Sequence, residues 1–573
     1  MTSPLRLGDG GIRTRVGFVV FAMDTQRELP SRSRSLRSSP TRLALALLAV
    51  LALLAAACGG DDDSNDAGSG DSTSDAERDF VDGGTDDGGD SGPASPTDFD
   101  GDMSDDAEAG FFDPSDDPDP SRLEGNEFRD YGIRPFVDAD DDNRSTFALD
   151  VDTGAYTVTR RWLQEGVVPD PASVRVEEFV NAFDYDYRPP GDGLSLEIDG
   201  APSPFDEDNV LVRIGVQAAV VDDDDRADAA LTFVVDTSGS MDRDDRLGLV
   251  KESLEELVRE LRDDDTVAIV VYGDDSTVVL EPTPVRDDDE IYDAIDDLRP
   301  GGSTNMEAGL ASGYRLAEQA FVEDGINRVI LASDGVANVG MTDPDGLTRE
   351  ITDRAIGGIQ LVTVGFGMGN FNDTLMEQLA DQGDGFYAYV DTRDEAEELF
   401  ENELVDTLTP IARDAKIQVE FDTDVVDEYR LIGFENRGVL DDDFRDDDVD
   451  AGELNSGHTV TAIYEIDLRG GVDGRDDIGE VTLRWFPAEG GDAVEIDERI
   501  EIRDLEDDWR DTDADLRLAT VVTVWAELLR NSPYADDLNF DLVATEAERL
   551  DDELDTEQTR ELAMLTERSA ALS

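Results

Sequence analysis

Residues 231–241 read LTFVVDTSGSM, and this run decides the fold. Five strand-forming, largely apolar residues stop at Asp236. A turn of Thr, Ser and Gly follows, and then RLGLVKESLEELVREL (246–261), whose apolar spacing is helical. The rhythm repeats. TVAIVVY (266–272) and STVVL (276–280) precede EIYDAIDDL (290–298) and NMEAGLASGYRLAEQAF (305–321). RVILAS (328–333) precedes DGLTREITDRAI (345–356), IQLVTVGFG (359–367) precedes LMEQLAD (375–381), and FYAYV (386–390) precedes EAEELFENEL (395–404). Strands alternating with helices at this spacing predict an α/β unit, a doubly wound and mostly parallel sheet. Ligands of such sheets bind outside the carboxyl ends of the strands, where the strand order switches.

Both flanks of this unit read as strands. Upstream, STFALDV opens like a strand and two short amphipathic segments follow, separated by Pro169 and Pro171. LSLEI (194–198) and NVLVRIGVQAAVV (209–221) then alternate as strands do. Downstream come AKIQVEF (415–421), EYRLIGF (428–434), HTVTAIYEIDL (458–468), GEVTLRWF (479–486) and AVEIDERIEI (493–502). The end is helical. In LRLATVVTVWAELLR (516–530) the residues Leu516, Ala519, Val522, Trp525 and Leu529 form a stripe that reads as core. The α/β unit is therefore expected to be inserted between β-rich flanks, with a helical C-terminus.

The first 125 residues are of another kind. SRSRSLRSSPTR (31–42) is basic, and LALALLAVLALLAAA (43–57) is apolar without a break and ends in small residues. That is the order of a secretory signal, and fifteen apolar residues are short of the ~20 a spanning helix needs. Cys58, the single cysteine of the chain, follows directly. The arrangement resembles the bacterial lipoprotein signal, which implies acylation at Cys58; Ala55 stands where that family prefers Leu. Met23 is a plausible start. From Gly59 to Pro120 there are 22 Asp and Glu against one Arg, with abundant Gly, Ser and Pro, a composition that extends and cannot build a core. Asp98, Asp100 and Asp102 begin a calcium-loop spacing. Met103 then stands where the loop's Gly belongs and Ala109 where its Glu belongs, so a solvated tether is the better reading. The organisation expected is a signal peptide at 1–57, lipidated Cys58 and tether at 58–125, a folded segment at 143–222, the α/β unit at 229–405 and a β-rich then helical domain at 412–573.

Composition removes several functions. The 573 residues hold 47 Lys and Arg against 140 Asp and Glu, a formal net charge of −93, which repels phosphate and argues against nucleic acid as a partner. One cysteine allows no internal disulfide or CxxC pair. One histidine, His458, leaves a Ser-His-Asp hydrolase or a His-ligated metal with a single residue to rest on. His458 lies in a G-H-T-V turn and is expected to make a turn or strand-edge hydrogen bond. Lys251 and Lys416 are the only lysines, so Arg carries the positive charge.

The chemistry concentrates where the strands end. Asp236, Ser238 and Ser240 sit on one loop between a buried strand and a helix. Gly302-Ser303-Thr304-Asn305 and Ser333-Asp334-Gly335 offer oxygen-bearing groups at two further strand-helix junctions. The simpler alternative is a Ser-rich turn that caps a helix. The three loops in this order resemble the metal-ion-dependent adhesion site of the von Willebrand factor type A domain, D-x-S-x-S…T…D. The resemblance implies a divalent cation held by Ser238 and Ser240 directly, by Thr304 directly or through water, and by Asp236 and Asp334 mainly through water. Hard oxygen donors suit Mg²⁺ first, and Mn²⁺ or Ca²⁺ as well. Asp242, Asp244 and Asp245 follow the motif closely.

The resemblance extends to TFALDVDTGAYTVTRRWL (146–163), VRVEEFVNAFDYDY (174–187), INRVILASDGVANVG (326–340) and VDAGELNSGHTVTAIYE (449–465). These are similar to a family of bacterial surface lipoproteins in which a type A domain lies between an N-terminal segment and a C-terminal domain of unknown function. It implies this architecture and a metal site. The leading expectation, which the three-loop constellation motivates, is a non-enzymatic, extracytoplasmic protein, lipid-anchored to the cell membrane, whose metal docks the Asp or Glu of a protein partner. Two other functions compete: an envelope spacer that binds cations diffusely, and a metal-assisted hydrolase of envelope polymers, for which no carboxylate pair stands out.

Overall fold

The computed structural model describes residues 126–573 apart from 127, 150–151, 207, 222–225, 243, 324, 336–343, 368–370, 398, 400–408, 448, 450, 473, 489 and 507. The signal peptide, Cys58 and the tether expected from the sequence lie outside the described residues. The first flank contains β1 (Val137–Asp138), β2 (Arg144–Ala148), α1 (Gly154–Gln164), α2 (Val176–Val180), β3 (Leu194–Pro202) and β4 (Asn209–Ala218). The α/β unit opens with β5 (Ala229–Asp236), α3 (Leu249–Glu260), β6 (Thr266–Tyr272), β7 (Ser276–Pro284), α4 (Asp288–Asp296) and α5 (Met306–Ala320). It continues with β8 (Ile326–Ser333), α6 (Pro344–Ile356), β9 (Gln360–Phe366), α7 (Asp373–Gln382), β10 (Tyr387–Val390) and α8 (Arg393–Glu397). The second flank holds β11 (Pro410–Phe421), β12 (Val426–Ile432), β13 (Gly452–Asn455), β14 (Thr459–Leu468), β15 (Asp477–Pro487) and β16 (Val494–Glu501). Helices α9 (Ala514–Leu529), α10 (Phe540–Leu554) and α11 (Glu557–Leu572) end it.

The middle sheet has the order β10-β9-β8-β5-β6-β7. All its pairings are parallel except β6 with β7, so STVVL begins an antiparallel edge strand. Every residue of β5 is buried, because both faces of the sheet are covered. Leu231, Phe233 and Val235 join one core with Leu254 and Leu257 of α3 and Ile291 of α4. Val234 points the other way, into a core with Leu310 and Tyr314 of α5 and Met376 of α7. The chain runs from β5 outward to β6 on one side and returns to β8 on the other. The switch point therefore falls at the carboxyl end of β5.

The two flanks are not separate bodies. One sheet has the order β1-β12-β14-β4-β3, with every pairing antiparallel; β3 and β4 from the first flank thus extend a sheet begun by the second. In the other sheet β11 pairs with β13, β15 and also β2. The sheets share one core, in which Val212, Ile214 and Val216 of β4 meet Ile417, Val419 and Phe421 of β11. The C-terminal stripe is core as expected: Leu516, Ala519, Val522, Trp525 and Leu529 pack with Phe179 of α2 and Leu163 of α1. Structure also begins earlier than residue 143. β1 pairs with β12, and Asn126 Oδ1 accepts the amide of Phe371 at 3.1 Å. The charged run around Asp140–Asp142 hid this two-residue strand from a reading based on apolar pattern.

One buried ion network ties the sandwich to its helices. Arg430 of β12 is buried and donates to Glu465 of β14 at 2.8 Å and to Glu527 of α9 at 2.9 Å, while its guanidinium lies 4.1 Å from the centre of the Tyr534 ring. Removing one partner of such a network strands the other charges out of water, at a cost of about 3–5 kcal/mol. Arg430→Ala should lower stability by that amount in urea unfolding followed by the fluorescence of buried Trp525.

Candidate metal centre

The end of β5 fixes the site. Asp236 is the strand's last residue and is fully buried. Its Oδ1 accepts the Ser238 amide at 2.7 Å, and its Oδ2 accepts the Ser333 hydroxyl at 3.2 Å. Thr237 turns back toward β6: its amide and hydroxyl both reach the Tyr272 carbonyl, at 2.9 and 3.0 Å. That leaves Ser238 and Ser240 side by side, with their hydroxyl oxygens 2.8 Å apart. Ser238 begins a short 3₁₀ turn, Gly239–Met241, yet its side chain caps nothing. The capping alternative therefore has no support in the geometry.

The second loop is docked on the first by its backbone. Gly301 donates to the Thr237 carbonyl at 2.6 Å, and Gly239 donates to the Gly302 carbonyl at 3.1 Å. Gly302 has φ +97°, in the left-handed region where a side chain would be strained. Asn305 then caps α5 by accepting the amide of Ala308 at 3.2 Å. Thr304, between them, is buried. The third loop follows β8, where Ser333 and Asp334 are both fully buried.

Asp236 and Asp334 are close enough for their charges to oppose one another. Burial first, and Asp334 second, push the Asp236 carboxyl up to about 6; the Ser238 and Ser333 donors act the other way. Arg246 answers part of this charge, donating from Nη1 to Asp334 Oδ2 at 2.5 Å and to the Ser240 carbonyl at 3.1 Å. Two carboxylates against one guanidinium leave a surplus negative charge beside two uncapped hydroxyls. This donor set of hard oxygens fits a divalent cation. Asp236, Ser238, Ser240 and Asp334 are thus brought to one place with Ser333, and the loop of Thr304 is hydrogen-bonded against the first loop. Arg246 was not legible as a member: the D-x-S-x-S pattern stops six residues earlier, and nothing in local spacing says that an Arg in an Asp run folds inward.

The remaining sequence candidate, His458, makes its contacts through the backbone. Its carbonyl accepts the amide of Ala218, and its amide donates to the Asn455 carbonyl, as a turn residue at a strand edge would. Desolvation and then Arg328 hold its imidazole down at about 4, so it stays neutral at ordinary pH.

Known proteins resemble parts of this chain. Residues 230–402 match the family model for the von Willebrand factor type A domain, residues 122–213 match one described as von Willebrand factor, and residues 406–572 match the C-terminal model of the uncharacterized protein YfbK. YfbK of Escherichia coli is 40% identical over 337 residues, covering 57% of this chain and 58% of its own length. The uncharacterized protein sll0103 of Synechocystis is 30% identical over 185 residues, covering 32% of this chain and 43% of its own. The chain thus spans about half the length of these relatives. Among solved structures, a von Willebrand factor type A protein from Catenulispora acidiphila aligns over 67% of this chain and 91% of its own, at 19% identity and a TM-score of 0.39. Residues 230–402 are similar to the type A domain, a class that commonly binds divalent cations at this motif, and the α/β fold with its helical C-terminus is that expected.

A second acidic group, absent from the sequence reading, lies between this unit and the first flank. Carboxylate oxygens of Asp152, Glu178 and Glu377 fall within 4.8 Å of one another, all buried. Here the protein supplies its own cations. Arg175 pairs with Glu178 and, at 2.7 Å, with Asp373; Arg437 pairs with Asp152 at 2.8 Å; the amides of Ala155 and Tyr387 donate to Glu178 and Asp152. The cluster reads as a brace. Glu377 is the least compensated member: burial, with Glu178 and Asp373 beside it, pushes its carboxyl up to about 7 against the partial relief from Arg175 and Arg437. The folded chain therefore holds a proton there that the unfolded chain releases near 4.5. The associated stability is full below 4.5 and is lost as pH rises through 7. Glu377→Gln should flatten the pH dependence of urea unfolding between pH 5 and 7.5, gaining on the wild type by on the order of 2 kcal/mol at the upper end.

Proposed function

We propose that the chain is a non-enzymatic binding protein of the bacterial envelope, anchored outside the cytoplasm by a lipid on Cys58, which engages a partner through a divalent cation at the centre built by Asp236. The observation that carries this reading is the convergence of three loops at the switch point: two buried carboxylates, Asp236 and Asp334, beside the paired hydroxyls of Ser238 and Ser240. A bound divalent cation would supply a local positive charge on a chain of net −93, the place where the Asp or Glu of a protein partner can dock. The residues do the rest. With Arg246 paired to Asp334, the two carboxylates offset only one of the ion's two charges, while Ser238, Ser240 and Thr304 donate neutral oxygens, so that the ion is left incompletely neutralised. Mg²⁺ suits this small, hydroxyl-rich set best. The order of basic, apolar and cysteine residues at 31–58 supports the anchor, and the acidic run at 59–120 would hold the folded part off the membrane. Among the described residues no helix is long and apolar enough to cross a membrane.

The test is thermal unfolding in EDTA, Mg²⁺, Mn²⁺ and Ca²⁺, with Asp236→Ala alongside. A site filled at about 100 times its Kd adds ~2.7 kcal/mol, a rise in Tm of about 2–4 °C. The wild type should show a cation-specific rise that the variant lacks. Envelope proteins retained by the Mg²⁺-loaded chain should be released by EDTA and should not be retained by Asp236→Ala. An equal rise in both proteins would replace this reading with a spacer that binds cations diffusely.

A further inference from the structure

Arg246 occupies a place that the metal motif does not assign. It sits in a π-helical turn, Asp244–Gly248, that joins the motif loop to α3. Its side chain is 4% exposed, and its partner Asp334 is fully buried. The guanidinium donates to Asp334 Oδ2 and to the Ser240 carbonyl, bridging the first and third loops of the centre. The seat is shaped for it. Gly367, just past the end of β9, has φ +72°, and a Cβ there would stand 2.5 Å from Arg246 Nε and 2.6 Å from its Cγ. Only a residue without a side chain leaves room for the arginine stem.

We propose that Arg246 is a resident cation of this centre, one that neutralises Asp334 and thereby weakens the affinity for the divalent ion. The inference rests on the reading of the centre as a metal site. Its logic is charge counting. Among the described buried charges of the three loops, Asp236, Asp334 and Arg246 sum to −1, so a dication brings them to +1; without Arg246 they sum to −2, and a dication would only bring them to zero. Arg246 thus trades metal affinity for residual positive charge, which is what an acidic partner needs. It acts through Asp334 and is a positioning residue of the site. Planar, always charged and held by two hydrogen bonds, it is built to stay buried.

Isothermal titration of Mg²⁺ into the full-length chain tests this, with the heats of the matching Asp236→Ala protein subtracted to remove diffuse binding by the acidic tether. Arg246→Gln keeps much of the side chain's bulk and loses the charge; Arg246→Lys keeps the charge and loses the fork. The Gln variant should bind Mg²⁺ at least tenfold more tightly than the wild type, and the Lys variant should stay within about threefold of it. Circular dichroism and the EDTA melting temperature report whether each variant is folded. Should Arg246→Gln not fold, Arg246→Met, which keeps the stem and loses the charge, carries the comparison: tighter Mg²⁺ binding supports the inference, and unchanged or weaker binding overturns it. Affinity unchanged or weakened in a folded Gln variant also overturns it. Absence of any Asp236-dependent Mg²⁺ heat in wild type and Gln variant alike would instead overturn the metal reading on which it stands.

Discussion

The centre of this molecule depends on one constraint: a carboxylate, Asp236, placed at the end of a strand that is apolar on both faces. Burial on two sides requires helices above and below the sheet, and helices require crossovers that bring loops back to the same edge. Those loops are therefore obliged to meet at Asp236. Its buried oxygens must find donors there, and they take the Ser238 amide from the loop after β5 and the Ser333 hydroxyl from the last residue of β8. Tying both to one carboxylate is what sets Ser238 and Ser240 side by side with Asp334 close behind. The site is a consequence of how the strand ends.

The flanks serve the same centre at a distance. β3 and β4 have an edge that only β14 completes, and β2 finds its partner in β11, so neither flank closes its sheets without the other. The α/β unit is inserted between them and is held both by apolar packing, with Val158 in its core and Phe128, Trp162 and Val167 against it, and by charged contacts. Arg175 to Asp373, Arg437 to Asp381 and Arg160 to Asp391 all cross from flank to insert. Ion pairs of this kind are directional, and buried bidentate arginines fix orientation where apolar packing alone tolerates slippage. The carboxyl end of β5 is thereby kept in a defined orientation relative to the two flanking sheets.

Much of this was legible because the signals were local. LTFVV, TVAIVVY, RVILAS and IQLVTVGFG are strands wherever they fall, and Asp236, Ser238, Ser240 and Asp334 stand at their ends or in the loops beyond. The C-terminal stripe through Trp525 followed from period alone. What was not legible depends on distant partners. β1 is two residues in a charged run and exists because β12 offers an edge. The pairing of β2 with β11 spans more than 260 residues of chain. Arg246, one arginine among aspartates, has no periodic signature; its inward turn is set by Gly367 and by the charge of Asp334, both of which arrive from later strands.

Arginine use carries the argument one step further. With two lysines in the chain, buried carboxylates are matched by guanidinium groups: Asp265 by Arg226, Asp373 and Glu178 by Arg175, Glu465 and Glu527 by Arg430, Asp334 by Arg246. Asp236 and Glu177 are buried acids for which backbone and hydroxyl donors take the place of an ion pair. Burial, then Glu435 and Glu178, push Glu177 up to about 7, so it can meet its burial by holding a proton near neutrality. Burial, then Asp334, push Asp236 up to about 6. Among the described residues Asp236 is thus a buried acid held by an amide and a hydroxyl where Asp334 beside it is matched by arginine, and the proposed metal site rests on that contrast.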